Sequence, residues 1–159
     1  MKVKVSEPLL SGNEKKYLLN CLKSNSISSV GNFIIEFEKK LSSKLNRKYG
    51  VAVSSGTAAL QLAFESLNLK KGDEVILPAF TLISCILPVI RSGIKPILVD
   101  SDIKTWNMDI SKLENKISNK TKAIMLAHTL GNPFNLEKVV KICKKNNLWL
   151  IEDNCDALG

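Results

Sequence analysis

Apolar residues follow two different rhythms along this chain, and the change comes near Tyr49. Beyond it, short apolar runs of strand length alternate with longer segments whose apolar positions recur at helical spacing. The predicted strands are 51–53, 74–77, 96–100, 122–127 and 148–151. The predicted helices are 58–67, 81–92, 110–117 and 136–146. This alternation is typical of a mainly parallel sheet covered on both faces, so we expect an α/β fold with three α/β/α layers.

The first 48 residues differ, because their pattern is helical after a short extended start. Ser11 and Glu14 have the spacing of a capping box at the start of one helix. A second helix is predicted through residues 33–41. We therefore divide the chain into an N-terminal helical arm, residues 1–48, and an α/β domain, residues 49–159.

The net charge of +8 comes from lysines spread along the chain, since only two of the 23 basic residues are arginines. Nucleic-acid readers usually cluster their basic residues, often arginines, on one face. We therefore expect an ordinary solvated surface with a modest attraction for small anions, and no nucleic-acid partner.

Four scattered cysteines and a single histidine give no metal site of ordinary ligand spacing. Cysteines without a C-x-x-C pair, in a chain whose start lacks the apolar segment of a signal peptide, indicate reduced thiols and a cytoplasmic protein. The most apolar window, residues 80–90, is too short to span a bilayer, so no membrane association is expected.

Two features could carry chemistry, and each also has an ordinary structural interpretation. The turn Ser54-Ser55-Gly56-Thr57 joins a predicted strand to a predicted helix, where backbone N–H groups can bind a phosphate. The same residues are common helix caps. The last predicted strand is followed by three carboxylates, Glu152, Asp153 and Asp156, at the sheet edge where parallel sheets bind ligands. An acidic turn exposed to solvent would have the same sequence pattern.

Taken together, a phosphate turn and a carboxylate at strand exits suggest a phosphorylated pyridine cofactor. Such a cofactor needs an anion cradle and a carboxylate against its ring nitrogen, and Asp153 is the candidate for the second role. The turn has neither Walker nor G-x-G-x-x-G spacing, which disfavours the standard ATP and NAD sites. We expect His128 to be structural, and Cys155 to lie in an apolar setting without a nucleophilic role.

Several segments, in order, resemble the nucleotide-sugar aminotransferases of the DegT type. The segments are 37–38, 53–60, 72–78, 96–100, 120–125 and 151–153. The resemblance implies a fold-type I enzyme that uses pyridoxal 5′-phosphate (PLP), with residues 49–159 as the first part of its PLP-binding large domain.

The same resemblance implies roles for individual residues. The backbone at Gly56 and Thr57 would hold the cofactor phosphate, Asp153 would face the pyridine nitrogen, and Asp156 would lie beside the cofactor. The family usually stacks an aromatic residue on the cofactor ring; this chain has Leu82 at that position, which predicts a less specific contact.

The family's Schiff-base lysine lies on a later segment, so no catalytic residue is assigned here and that lysine is expected beyond Gly159. We therefore expect a fragment of an aminotransferase of the perosamine synthase-like branch. It would act on a nucleotide-linked keto-deoxy-sugar with an amino acid as amino donor, in polysaccharide or glycan sugar biosynthesis, and would be a homodimer when full length. Two alternatives remain: a PLP-dependent nucleotide-sugar 3-dehydratase, which resembles residues 127–134 and 153–159, and a non-catalytic truncated product.

Overall fold

A computed structural model of the chain describes residues 7–158. Most of the predicted extended start, residues 1–6, lies outside the described part. The described chain forms two compact units, of which the first ends at Ala52 and the second begins at Val53.

The first unit contains two helices, α1 (Glu14–Lys23) and α2 (Asn32–Lys44). They contact each other through the Tyr17 and Phe33 rings, whose centroids are 5.4 Å apart in an edge-to-face arrangement. The capping box predicted at Ser11 is wrong: the residue before α1 is Asn13, and the Glu14 carboxylate accepts the Gly12 N–H at 2.9 Å.

Behind α2 the chain returns close to the helix at Gly50. A Cβ atom at Gly50 would lie 2.6 Å from the Glu38 carbonyl oxygen, so only glycine fits there without a backbone shift. The Glu38 carboxylate also accepts the Ala52 N–H at 2.8 Å. These contacts fix the end of the first unit against its second helix.

The second unit alternates helices and strands. Its helices are α3 (Gly56–Ser66), α4 (Ile83–Arg91), α5 (Ile110–Leu113) and α6 (Leu136–Asn146). Its strands are β1 (Glu74–Pro78), β2 (Lys95–Val99), β3 (Thr121–Ala127) and β4 (Trp149–Asp153). Short 3-10 turns follow α5 at Glu114–Lys116 and β3 at Thr129–Gly131.

The strands form one parallel sheet in the order β2-β1-β3-β4. Alternate residues of the central strands face opposite layers. Val75, Leu77 and Met125 pack in a core cluster with α3 and α4. Ile76 and Ile124 pack in a second cluster with α5 and α6. The expected three-layer α/β/α fold with a parallel sheet is therefore confirmed.

The predicted strand over residues 51–53 is wrong, because no segment of residues 7–158 pairs with it in the sheet. A strand needs a ladder partner as well as an apolar sequence. Helix α6 has the predicted bounds, whereas β4 runs to Asp153, two residues past its prediction. Pro88 lies inside α4, and Gly93 follows this helix with a positive φ of 70°.

Candidate functional site

The candidate site lies at the carboxyl edge of the sheet, where β3 ends at Ala127 and β4 ends at Asp153. These two residues are register partners. A narrow cleft opens beside them. Its lining residues are Thr81, Leu82, Ala127, His128, Thr129, Asp153, Cys155 and Asp156. Three of the residues predicted for the site therefore come together here, namely Leu82, Asp153 and Asp156.

Asp153 is the half-buried last residue of β4, and its two carboxylate oxygens have different partners. Oδ1 accepts the backbone N–H of Cys155 at 3.0 Å. Oδ2 accepts the thiol of Cys85, a buried residue of α4, at 3.4 Å. The Asp153 carbonyl accepts the N–H of His128 at 3.1 Å. The carboxylate is thus held at the sheet edge by elements on both sides of it.

The N-terminus of α3 lies next to this carboxylate. Ser55 is the N-cap, and its Oγ accepts the Ala58 N–H at 3.2 Å. The backbone N–H groups of Gly56 and Thr57, in the first turn, donate to no described residue. A Cβ atom on Gly56 would lie 2.8 Å from Cys155 Sγ, so Cys155 links this helix terminus to the Asp153 loop. The turn therefore caps the helix and also presents two N–H donors.

Leu82 and Asp156 border the cleft in different ways. Leu82 is the residue before α4, and 57% of its surface is exposed, so an apolar surface faces the opening. The Asp156 carboxylate is exposed and accepts the N–H of Leu130 at 3.3 Å. Leu130 has a positive φ of 58°, which costs a non-glycine residue about 1 kcal/mol. Asp156 therefore stabilises the turn after β3 at the rim of the cleft.

His128 and Glu152 lie on the other face of the sheet from Asp153, because side chains alternate along a strand. His128 is 3% exposed, and its Nδ1 accepts the Phe134 N–H at 3.2 Å. The proton of the neutral ring therefore resides on Nε2, which lies 3.7 Å from Glu152 Oε2 and hydrogen-bonds to no described residue. This arrangement fits the structural role expected for His128, since it joins β3, β4 and the turn before α6.

The thiols near the site are poor nucleophiles. Burial raises the pKa of the Cys85 thiol to about 11. The hydrogen bond to the Asp153 carboxylate, together with burial, raises the pKa of Cys155 to about 11. Cys155 is exposed and lies among carboxylates, so the apolar setting predicted for it is wrong. The predicted lack of a nucleophilic role fits these values, for a different physical reason.

Sequence reasoning missed Cys85 because nothing in the chain links it to Asp153, 68 residues away. The available signal was its spacing of four residues from Thr81, which lies two residues before α4 and whose hydroxyl is 3.2 Å from the Cys85 sulfur. Within residues 7–158, no group of three or more His, Cys, Asp or Glu side chains could hold a metal ion. No helix in this part of the chain is long and apolar enough to cross a membrane.

Comparison with known proteins extends these observations. The chain is 45% identical over 157 residues to the GDP-perosamine synthase of Escherichia coli O157:H7, a match covering 99% of this chain and 43% of that protein. Its structure matches that of an E. coli GDP-4-keto-6-deoxy-D-mannose-3-dehydratase with bound hydrated PLP, with a TM-score of 0.90 and 33% identity, over 98% of this chain and 41% of the other. An aminotransferase from Psychrobacter cryohalolentis matches with a TM-score of 0.89 and 30% identity, over 96% of this chain and 40% of the other.

The chain thus spans less than half the length of these relatives. The sequence profile of the DegT/DnrJ/EryC1/StrS aminotransferase family matches residues 8–159, which is nearly the whole chain. The chain therefore belongs to the DegT/DnrJ/EryC1/StrS aminotransferase family, as its motifs indicated.

Proposed function

We propose that this chain supplies the cofactor-binding region of a PLP-dependent aminotransferase that acts on a nucleotide-linked keto-deoxy-sugar. One observation carries the proposal: at one edge of a parallel sheet a carboxylate meets a helix N-terminus whose first N–H groups donate to no residue of the described part of the chain. Cys155 connects them, because its N–H binds Asp153 and its Sγ lies against Gly56. This edge is where ligands of such sheets bind.

The residues present fit PLP chemically. A phosphate suits the N-terminus of an eleven-residue helix, since the N–H groups of Gly56 and Thr57 donate to none of residues 7–158 and the helix dipole favours an anion. The absence of a side chain at Gly56 leaves the backbone open at the point where a Cβ would meet Cys155. The Asp153 carboxylate can accept a hydrogen bond from a protonated ring nitrogen, and Leu82 offers an apolar surface to the ring.

Each of these groups has a separate task in the proposed reaction. When bound, PLP supplies an electron sink that stabilises the carbanion formed as the amino group is transferred. Asp153 holds a proton at the pyridine nitrogen by placing a negative charge against it. Gly56 and Thr57 anchor the phosphate through their N–H groups, and Leu82 packs on the ring. Asp156 stands beside the cofactor and stabilises the turn at Leu130.

The wider assignment rests on the resemblance to the DegT-type aminotransferases. We propose that an amino acid such as glutamate is the amino donor, that the product enters polysaccharide or glycan sugar synthesis, and that the complete protein is a homodimer in the cytoplasm without a nucleic-acid or membrane partner. Residues 1–48 would form a helical arm, and residues 49–159 the first part of the cofactor domain. The lysine that binds PLP covalently is assigned to none of the residues of this chain.

A sugar 3-dehydratase is the second candidate, and the structural match to the E. coli 3-dehydratase supports it. Both activities would use the same Asp153 and the same helix N-terminus, so these residues do not separate them. Product analysis does: the aminotransferase yields an amino sugar, whereas the dehydratase yields a deoxygenated keto sugar. A non-catalytic product would bind no PLP.

The test of the proposed function is Asp153→Asn in the complete gene product. Loss of the negative charge at the ring nitrogen should lower the turnover number about 100-fold or more, because a preorganised charge is typically worth this much. PLP affinity should fall much less. Turnover is measured as amino-sugar formation from a nucleotide-linked keto-sugar and glutamate, and affinity by an absorbance titration with PLP.

The matched control is Asp100→Asn. Asp100 also follows directly on a strand, β2, but 80% of its side chain is exposed, and its nearest cation is Lys112 at 3.9 Å. This variant should retain wild-type turnover. Turnover of Asp153→Asn within a few-fold of wild type would show that Asp153 does not face the cofactor ring.

A further inference from the structure

We propose that Cys85 is a positioning residue that fixes the orientation of the Asp153 carboxylate towards its ligand. The inference rests on the proposed function, because the ligand is the pyridine nitrogen of PLP. It concerns a residue outside the segments through which the chain resembles its family, and it assigns Cys85 no contact with the cofactor.

The geometry of the two carboxylate oxygens supports this role. Cys85 is 1% exposed, and its Sγ lies 3.4 Å from Asp153 Oδ2. The other oxygen, Oδ1, accepts the Cys155 N–H at 3.0 Å. The Cys155 thiol also hydrogen-bonds to this carboxylate. With these partners on its oxygens, the carboxylate cannot rotate about its Cβ–Cγ bond without breaking a hydrogen bond. Without Cys85, only the N–H and thiol of Cys155, an exposed residue, would restrain it among the described contacts.

The direction of the hydrogen bonds follows from the number of protons. A thiol has one hydrogen, and an ionised carboxylate only accepts, so the S–H of Cys85 points to Asp153. The Thr81 hydroxyl lies 3.2 Å from the same sulfur. Since the thiol hydrogen is already used, Thr81 must donate to Cys85. A directed chain of donors therefore runs from Thr81 through Cys85 to Asp153.

The properties of the thiol suit this task. Burial raises the pKa of Cys85 to about 11, so the group remains a protonated donor at neutral pH and places no second negative charge beside Asp153. A thiol is also a weak donor, and a carboxylate has about four acceptor positions. Asp153 can therefore accept a further hydrogen bond, from the protonated nitrogen of its ligand.

The fold holds Cys85 firmly in place. The residue packs in the core cluster of α3, α4 and the central strands, with Leu77, Val89 and Met125. This is the sheet face to which Asp153 belongs by alternation from Ile151, which packs against the same cluster. The position of α4 on the sheet thereby sets the distance between the thiol and the carboxylate.

The experiment compares Cys85→Ser, which keeps a donor, with Cys85→Ala and Cys85→Val, which remove it. Cys143→Ala is the matched control, because Cys143 is also a buried thiol whose pKa burial raises to about 11, but it lies in the other core cluster. All variants are made in the complete gene product. Three quantities are measured: the PLP dissociation constant, the ¹⁵N chemical shift of bound PLP labelled at the pyridine nitrogen, and the infrared S–H stretching band without PLP.

We expect Cys85→Ala and Cys85→Val to weaken PLP binding about fivefold, the loss typical of one ordinary hydrogen bond, because a thiol is a weak donor. Both should also move the pyridine ¹⁵N shift, which a purely structural role would leave unchanged. Cys85→Ser should keep both quantities near wild type, and Cys143→Ala should change neither. In the protein without PLP, Asp153→Ala should move the S–H band of Cys85 to higher frequency.

The outcomes separate the inference from the proposed function. If the wild type binds PLP but Cys85→Val matches Cys85→Ser in affinity and ¹⁵N shift, the inference fails and the proposed function stands. If the wild type binds no PLP, the proposed function fails and the inference falls with it, whatever the S–H band shows. If Cys85→Ala does not fold, Cys85→Val takes its place, because valine fills the volume of the thiol. If neither variant folds, the S–H band decides: a frequency that Asp153→Ala leaves unchanged overturns the proposal.

Discussion

Gly56→Val tests the helix N-terminus as the phosphate site. A Cβ atom at this position would lie 2.8 Å from Cys155 Sγ, whereas non-bonded heavy atoms prefer about 3.5–4.0 Å. The sulfur must therefore move by about 0.7 Å or more. Cys155 is exposed, so its side chain can turn away at a cost of about 1 kcal/mol. In a chain of this size that cost lowers the melting temperature by only about 2–4 °C.

The effect on the ligand should be larger than the effect on the fold. The valine side chain would stand over the N–H groups of Gly56 and Thr57, which donate to no described residue. A hydrogen bond to a charged group is worth about 1.5–3 kcal/mol, so losing one of them should weaken PLP binding at least about tenfold. The variant should therefore remain folded and lose affinity.

The assay combines a PLP absorbance titration with thermal unfolding of each variant. Adding Cys155→Ala to Gly56→Val removes the clash with the sulfur, so stability should return while affinity stays low. Gly31→Val is the control, since Gly31 precedes α2 and its added Cβ would make only an ordinary contact with Ser26, at 3.6 Å. If Gly56→Val bound PLP with wild-type affinity, this turn would not be the phosphate site and would serve only to cap α3.

Two further predictions concern titrating groups. The hydrogen bond from Ser118, followed by that from Lys95, lowers the pKa of Glu74 below 4.5, so this group stabilises the fold above pH 4.5 and the contribution is lost as the pH falls through the lowered value. Ser118→Ala should raise that pKa and reduce the acid-dependent loss of stability, which urea unfolding at a series of pH values measures; an unchanged pH profile would contradict the assignment. Asp153→Asn should speed alkylation of Cys155 by iodoacetamide about tenfold at neutral pH, because the hydrogen bond to Asp153 is the main cause of the raised pKa of this thiol. Peptide mass mapping gives the rate at Cys155, and an unchanged rate would show that Asp153 does not protect it.

The sequence by itself determined the elements and their class. Helix α6 could be predicted to the residue because its apolar stripe is a local property with the helical period. The central strands could be predicted because both of their faces are buried, which requires continuous apolar runs such as the one in β3. The motif order was equally local, and it identified the family that the sequence profile confirms.

The tertiary structure decided what depends on partners distant in the chain. Residues 51–53 have the composition of a strand, but strand formation requires a neighbouring ladder, and no segment of residues 7–158 provides one. The surroundings of Asp153 are non-local in the same way. Its position at a strand exit could be predicted, whereas the donor from Cys85 depends on how α4 packs on the sheet.

Alternation along β4 completes this picture. Glu152 and Asp153 look equivalent in the sequence, yet they face opposite layers, so Glu152 lies near His128 and Asp153 near the thiols. The β4 register against β3, with Ala127 opposite Asp153, fixes which carboxylate enters the cleft. A shift of one residue would exchange the two, because the side-chain period of a strand is two residues. The sequence therefore predicted which carboxylates lie at the strand exit, whereas the register of the sheet determines the surroundings of each.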